Sequence, residues 1–422
     1  MSSAEPEAQA ESQLPKALAE PTARVRPGWT SLLFLANIGL WLGIYAPIQV
    51  LLPEQAELLD SAHKEVVFGL VTGIGAVVSL LANPLVGLAS DRTRSRFGRR
   101  HPWTLAGAVA GAAGLVVLAL AGNVVVMTIG WCVVQAGLNG MLATLTSTVP
   151  DRVPVEQRAR IGGLVGIGQM LGTVLGAVLV TVLITSLSGG YLACAVIVVV
   201  GAALFVLRTP DIALPRDWPL ARWRAVLADL WISPRRHPDF AWAWGCHFLI
   251  NLGNALGTFY LLYFLKDAVH YPDPDTGLLI MMGLYGVALV IGGLLVGHLS
   301  DSSGRRKPYV FASVVVMTLA ALTLTFWQTW PAALVASPLL GIGFGAYWAV
   351  ALAILIQVLP AASERAKDLG LINIANLLPQ VLAPLLATII LANLGGYAGL
   401  FGAAAVTTFA AGALITGVRE VR

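Results

Sequence analysis

Gly87-Leu88-Ala89-Ser90-Asp91-Arg92-Thr93-Arg94-Ser95-Arg96-Phe97-Gly98-Arg99-Arg100-His101-Pro102-Trp103 returns later in the chain as Gly297-His298-Leu299-Ser300-Asp301-Ser302-Ser303-Gly304-Arg305-Arg306-Lys307-Pro308-Tyr309. The two aspartates are 210 residues apart. A second pair of segments repeats at nearly the same distance. Arg158-Ala159-Arg160, with Gly163, Leu164, Ile167 and Gln169, returns after 207 residues as Arg365-Ala366-Lys367, with Gly370, Leu371, Ile374 and Asn376. Two agreeing offsets mean that the chain is a tandem duplication.

Working outward, each charged stretch separates long apolar runs. Of the 422 residues, 57% are hydrophobic and only 11% charged, and the mean hydropathy is +0.79. Soluble domains carry about 25% charged residues, so this surface must be covered by lipid. About 20 apolar residues cross the hydrocarbon core as a helix. Cutting at charges and turn residues predicts twelve spans, at 29–52, 66–89, 102–122, 124–149, 161–187, 190–207, 239–265, 276–299, 308–327, 331–358, 369–393 and 396–417. The fold class is therefore all-α integral membrane, two pseudo-symmetric six-helix bundles. Because each half has an even number of spans, the halves share one orientation, the parallel-repeat plan of secondary transporters.

Placing the charges orients the chain. Of the 26 Lys and Arg, 24 fall in the tails and the even-to-odd loops, and only Lys64 and Lys266 fall on the other side. The positive-inside rule puts both termini in the cytoplasm, in a multi-pass protein of the cytoplasmic membrane. Trp29, Trp103, Trp242, Trp244, Trp327 and Trp330 sit near span ends, as an interfacial belt does. Residues 1–28 are expected to be a disordered cytoplasmic tail, too polar for a signal peptide. The bundles are 29–207 and 239–417, with a cytoplasmic tail at 418–422. In the linker 208–238, Leu220, Trp223, Leu227 and Leu230 recur at helical spacing, which predicts an amphipathic helix on the inner leaflet. Cys132, Cys194 and Cys246 lie in apolar runs without metal-ligand spacing and read as small hydrophobes.

The repeated loop resembles the helix 2–3 and 8–9 signature of the major facilitator superfamily. Its longer form, Ser90 to Trp103, is similar to that of the glycoside–pentoside–hexuronide and sucrose/proton symporters. The run Gly370-Leu371-Ile372-Asn373-Ile374-Ala375-Asn376 to Pro379-Gln380 is similar to the eleventh helix of the sucrose group. The resemblance implies a gating motif of Gly87, Asp91, Arg92, Arg96, Gly98, Arg99 and Arg100, with Asp301, Arg305 and Arg306 in the second copy. It implies that Asp91 latches to the start of helix 11, where a helix N-terminus stabilises an anion. Against this stands the plainer reading that the charges only fix topology. The resemblance also fails in two places. The paired carboxylates of melibiose-type sodium symporters fall at Ser79 and Asn83, before Pro84. The helix 4 aspartate and arginine of sucrose/proton symporters fall at Gln135 and Thr146, counted from Asp151.

No Asp, Glu, Lys or Arg lies in the middle of any predicted span, although an intramembrane charge is the usual functional mark. The substrate-binding candidates are therefore neutral: Asn37, Tyr45, Gln135, Asn139, Gln169, His247, Asn251, Asn254, Tyr347, Trp348, Asn373, Asn376 and Gln380, with Gln49 and Tyr260 as further polar or aromatic positions. His247, Asn251 and Asn254 step by four and three, and Gln135 and Asn139 by four, so each set shares a helix face. Such stripes line a wet cavity or hydrogen-bond a neighbouring helix. Amides suit hydroxyl-rich solutes, and a strongly charged solute would find no counter-charge to offset its desolvation. The function expected is transport of a neutral polar solute such as a sugar or glycoside, by symport if the family habit holds. An exporter of lipophilic compounds is the alternative. No nucleophile–base pair or nucleotide loop suggests an enzyme. No cofactor or metal is expected. The expected partners are a small-molecule substrate and membrane lipid, without nucleic acid, around a monomer. His247 is the candidate coupling group, since an imidazole cycles near neutral pH. Glu54, Glu57 and Asp60 are weaker candidates for coupling, because they are expected at the outer surface with easy access to water.

Overall fold

A computed structural model describes residues 21–215, 237–358 and 365–419. The side chains of Asp301 and Asn373 fall outside the described set. So do the linker positions Leu220, Trp223, Leu227 and Leu230, and most of the N-terminal tail. Among the described residues there is no strand, and twelve helices are long and apolar enough to cross a membrane. They are α1 Pro27–Leu59, α2 Lys64–Asp91, α3 His101–Ala119, α4 Val124–Arg152, α5 Val155–Val178, α6 Leu187–Arg208, α7 Pro238–Asp267, α8 Pro274–Ser303, α9 Lys307–Phe326, α10 Trp330–Gln357, α11 Arg365–Asn393 and α12 Gly396–Thr416. Helix is the form that satisfies every backbone group within its own segment, which a hydrocarbon surrounding demands.

Several ends have readable causes. Asn123 caps α4 by accepting from the Val126 N–H, and Asp273 caps α8 by accepting from the Thr276 N–H. Gly304 ends α8 in the left-handed conformation, φ 62°. Pro47 opens a π-helical turn, Pro47–Leu51, inside α1, where the missing N–H interrupts the regular ladder. Because the helix then continues through Leu52–Leu59, α1 outruns the predicted span by two turns. α7 pauses between Thr258 and Leu261, which puts Tyr260 at a break rather than mid-helix.

The duplication is visible in the packing. In the first repeat α1 packs on α5 and α6, and α3 on α4 and α6; in the second, α7 packs on α11 and α12, and α9 on α10 and α12. α8 packs on α10, and its first-repeat counterpart is marked by the Asn83 amide donating across from α2 to the Asn139 carbonyl of α4. Small residues permit the close approaches, as is usual where lipid gives helices no hydrophobic drive to associate. A Cβ on Gly137 of α4 would lie 2.3 Å from the Gly111 nitrogen of α3. A Cβ on Gly345 of α10 would lie 2.0 Å from the Leu289 carbonyl oxygen of α8.

Contact density divides the chain into two compact units, residues 1–47 with 78–221, and residues 48–77 with 222–422. The first boundary falls at the π turn of α1. The end of α1 and the first half of α2 thus pack with the second repeat. Within that unit the Phe68 ring meets Tyr260 and Tyr263 edge-on, with centroids 5.2 and 5.8 Å away. Tyr263 donates to the Pro53 carbonyl. A Cβ on Gly69 would lie 2.0 Å from the Thr388 hydroxyl.

Gly137→Val and Gly345→Val are expected to force α3 from α4 and α8 from α10. Gly283→Val, with nothing within 4 Å of its Cβ position, is the control. Size-exclusion chromatography of the detergent-solubilised variants checks this: the first two should lose the monodisperse peak that the control keeps.

Candidate functional site

The second repeat brings three of its helices together around one imidazole. His247 of α7 is 1% exposed. The Tyr347 hydroxyl of α10 lies 2.6 Å from Nδ1, and Asn376 Oδ1 of α11 lies 2.6 Å from Nε2. An amide oxygen only accepts, so Nε2 carries the hydrogen and Nδ1 accepts from the tyrosine. Trp348 stands edge-on to the imidazole at 5.5 Å and is 41% exposed. One turn on, the Asn251 amide donates to the His247 carbonyl. Asn254, a further turn on, accepts from the Tyr285 hydroxyl of α8. Gln380 is partly buried on α11. The structure thus gathers His247, Tyr347, Trp348 and Asn376, which lie up to 129 residues apart, and adds Tyr285, a residue without any periodic signal in the sequence.

The polar residues of the first repeat are more closed. Gln135 and Asn139 are 7% and 3% exposed, and the Asn139 amide donates to the Gln135 side-chain oxygen at 2.8 Å. Their shared face is satisfied within α4 itself. Asn37 is buried and donates to the Leu33 carbonyl one turn back. Tyr45 and Gln169 hydrogen-bond side chain to side chain, and Tyr45 stacks on Trp41 at 5.7 Å. Gln49, in the π turn, has a buried side-chain oxygen without a hydrogen-bond partner.

The first gating loop is a tight ionic knot. Arg99 and Arg100 are 5% and 4% exposed. Both reach Asp151 of α4, at 2.6 and 2.7 Å, and Arg100 also pairs with Asp91 and donates to Ser90. Burial works against the Arg100 charge, but Asp151 and Asp91 outweigh it and hold its pKa above the usual guanidinium range. Asp91 is about half exposed, with its described ion pair inside its own repeat. At the start of α11, the latch partner that the resemblance implies, residues 365–373 have side chains outside the described set. Gly98 has φ 91°, and a Cβ there would lie 2.1 Å from the Asp211 carboxylate. That carboxylate accepts from the Arg100 and His101 backbone N–H groups and so caps α3. Arg96 lies over the Phe97 ring, Arg92 is partly buried, and Gly87 sits with its Cβ position 4.0 Å from Ala143. In the second copy, Ser300 donates to the Arg305 carbonyl, Arg305 is exposed and Arg306 partly buried. At the two repeat offsets, 207 and 210, Val358 and Ala361 stand opposite Asp151, so no acid occupies the matching position in the second copy's sequence.

The acids at the other end of the helices depart from expectation. Glu57 is not freely hydrated: Lys64 and Lys266 donate to its two oxygens at 3.1 and 2.7 Å. Lys64 also donates to Asp267, whose other oxygen accepts from Tyr397. The Glu54 and Asp275 carboxyls lie beside each other. Asp60 alone of the three keeps to the surface, beside His63. Tertiary packing that brings α8 and the end of α7 onto the end of α1 is the reason, and span-by-span reading does not see it.

Asp151→Asn would remove the buried carboxylate that Arg99 reaches and leave Arg100 with Asp91 alone, a loss of about 3–5 kcal/mol for a broken buried pair. Asp91→Asn, at a half-exposed site, should cost much less; thermal melting in detergent separates the two. Cysteine at Asn251 or Asn254 should react with a water-soluble thiol reagent, and cysteine at Gln135 or Asn139 should resist it. Equal labelling rates at all four would contradict the burial difference.

Comparison with known proteins agrees with this architecture. The family described as Major Facilitator Superfamily matches residues 30–282 and 243–421. A probable 4-methylmuconolactone transporter of Cupriavidus pinatubonensis is 32% identical over 166 residues, covering 38% of this chain and 36% of the relative. An uncharacterized symporter of a Synechocystis species is 51% identical over 41 residues, 10% of this chain and 8% of the relative. The matched stretches thus span little more than a third, at most, of these relatives' lengths. The crystal structure of the nucleoside transporter NupG shares the fold, with a TM-score of 0.72 at 13% identity over 93% of this chain and all of the other. A multi-pass all-helical chain with this duplicated loop, and with the family matched along nearly its whole length, belongs to the Major Facilitator Superfamily, a superfamily of membrane carriers and not of enzymes.

Proposed function

We propose that this protein is a secondary transporter that moves a small, neutral, polar solute across the cytoplasmic membrane by alternating access, with both termini in the cytoplasm and sugars or glycosides the first class to test. The observation that carries the reading is the His247 cluster. It offers amide, imidazole, phenol and indole groups, and none of the described partners of His247, Asn251, Asn254 and Asn376 is charged. Such a site binds through hydrogen bonds and ring faces and has nothing to neutralise an ionic solute. Relatives named as transporters and a symporter support the same class of activity. The sugar and sucrose branch rests on the loop Ser90–Trp103 and on Gly370 to Gln380.

Alternating access requires contacts that hold in one state and break in the other. Residues 48–77 are continuous with the first repeat through α1 and α2, yet pack with the second, and the Lys64, Glu57, Lys266 and Asp267 network ties them there. The buried knot of Asp151 with Arg99 and Arg100 shapes the first gating loop, and Asp91 at its exposed edge is the residue free to change partners. His247 organises the site rather than carrying protons, because both its nitrogens are already satisfied by neutral groups.

Uptake of labelled sugars and nucleosides into proteoliposomes tests the reading. The expected result is saturable uptake of a neutral solute that equilibrates without accumulating under an imposed pH gradient. Accumulation that persists in His247→Gln would instead assign coupling to a carboxylate, with the neighbouring Glu54 and Asp275 first in line. Absence of uptake for every solute would remove the proposed function.

A further inference from the structure

The helices α1 and α2 each change partner partway along. Up to Ala46, α1 lies on α5 and α6. A Cβ on Gly172 would fall 2.6 Å from the Ile38 carbonyl oxygen, and a Cβ on Gly39 would fall 3.1 Å from the Ile197 carbonyl oxygen. Beyond the π turn Pro47–Leu51, the Pro53 carbonyl accepts from Tyr263 of α7, and Glu57 accepts from Lys266. In α2, Gly69 and Gly73, one turn apart, lie against Thr388 and Leu385 of α11; a Cβ on Gly73 would fall 2.9 Å from the Leu385 side chain. From Asn83 on, α2 instead meets α4, through the Asn139 carbonyl and through Gly87 against Ala143. Each change of partner has a weak point in the backbone near it. Pro47 and Pro84 lack the N–H that would continue the ladder, and α1 carries the π turn as well. Prolines and π turns are where helices bend. The hairpin made of residues 48–77 is thus joined to the first repeat through its two ends and seated on the second by ion pairs and glycine contacts.

We infer that residues 48–77 form a hinged lid, which controls access from the face of the membrane opposite the two termini by bending α1 at the π turn and α2 near Pro84, while the rest of the first repeat stays in place. This rests on the transport reading above and supplies its gate. Transporters of this plan commonly rock one whole bundle against the other; here the moving part is one hairpin. Bending at these two points leaves the packing of α1 on α5 and α6, and of α2 on α4, intact. The ionic network is the catch that holds the lid shut. Glu57 and Asp267 share Lys64, Glu57 also takes Lys266, and Glu54 and Asp275 feel the same Lys266. With both lysines neutral, these four carboxylates lose their shared cations, and like charges repel. Leu58 stands eleven residues beyond Pro47, about 16 Å along a helix. A kink of about 20° at the turn carries it roughly 6 Å.

Spin-label distances on the full chain in nanodiscs test this, and need no substrate. Leu58→Cys on the lid, Leu120→Cys at the end of α3 and Phe326→Cys at the end of α9 are labelled in pairs, in a Cys132→Ala, Cys194→Ala and Cys246→Ala background. All three positions are exposed and lie at the same face. Lys64→Gln with Lys266→Gln releases the catch, and Lys266→Gln alone is the milder form should the double variant fail to fold. On release, the lid should shift Leu58 by roughly 6 Å against both Leu120 and Phe326, while the distance between Leu120 and Phe326 stays at its wild-type value. Rocking of the whole bundle gives a different pattern: Leu58 and Leu120 keep their spacing, and both move against Phe326. That pattern would overturn the lid, and so would unchanged distances in every pair. Adding Pro47→Ala, which returns an N–H to α1, should shrink the Leu58 shift; an undiminished shift would overturn the hinge at the π turn. The lid pattern in a protein that takes up no solute would support the lid and remove the transport reading.

Discussion

Charge cannot be solvated in the hydrocarbon core, and the arrangement of this protein follows from that constraint. The charged residues are pressed to the helix ends, where water and lipid headgroups receive them. There they do mechanical work. At one end Asp151 holds Arg99 and Arg100, two guanidiniums with almost no exposed surface. At the other, Lys64 and Lys266 hold Glu57, and Lys64 also holds Asp267. A buried ion pair contributes little net stability compared with apolar residues of the same shape, but leaving one member alone is costly. Such networks therefore define a geometry more than they deepen a well.

The middle of the helices is left to neutral chemistry. There the two repeats have diverged. In the first, Gln135, Asn139 and Asn37 satisfy one another or their own helices and are nearly sealed. In the second, polar groups from α7, α8, α10 and α11 bond across helices, and Asn254, Tyr285 and Asn376 keep part of their surface open. The gating loops diverge as well, since Val358 or Ala361, by the two offsets, stands where the duplication would place a second Asp151. A duplicated scaffold thus carries two unlike sets of interior polar groups.

Much of this was legible in the residues. The twelve spans emerge from hydropathy because a bilayer imposes one length on every crossing. The duplication emerges from two offsets that agree. His247, Asn251 and Asn254 were recognisable as one face from their spacing alone. What escaped such reading is long in sequence separation. Asp211 caps α3 from 110 residues away. Tyr285 carried no periodic mark. Glu54, expected at the outer surface, has Asp275 of α8 beside it.

Local physics accounts for the division. Hydrophobicity, helical period and charge sign act over a turn or two, so the sequence by itself determined the membrane environment, the span count, the duplicated plan and the neutral character of the interior. Which side chain answers which across helices depends on the register and rotation of packed helices, set by contacts such as Gly137 on Gly111 and Gly69 on Thr388. Only the tertiary structure therefore decided that residues 48–77 pack with the second repeat, that Asp151 joins Asp91 in holding the buried arginines, and that His247 is held between Tyr347 and Asn376.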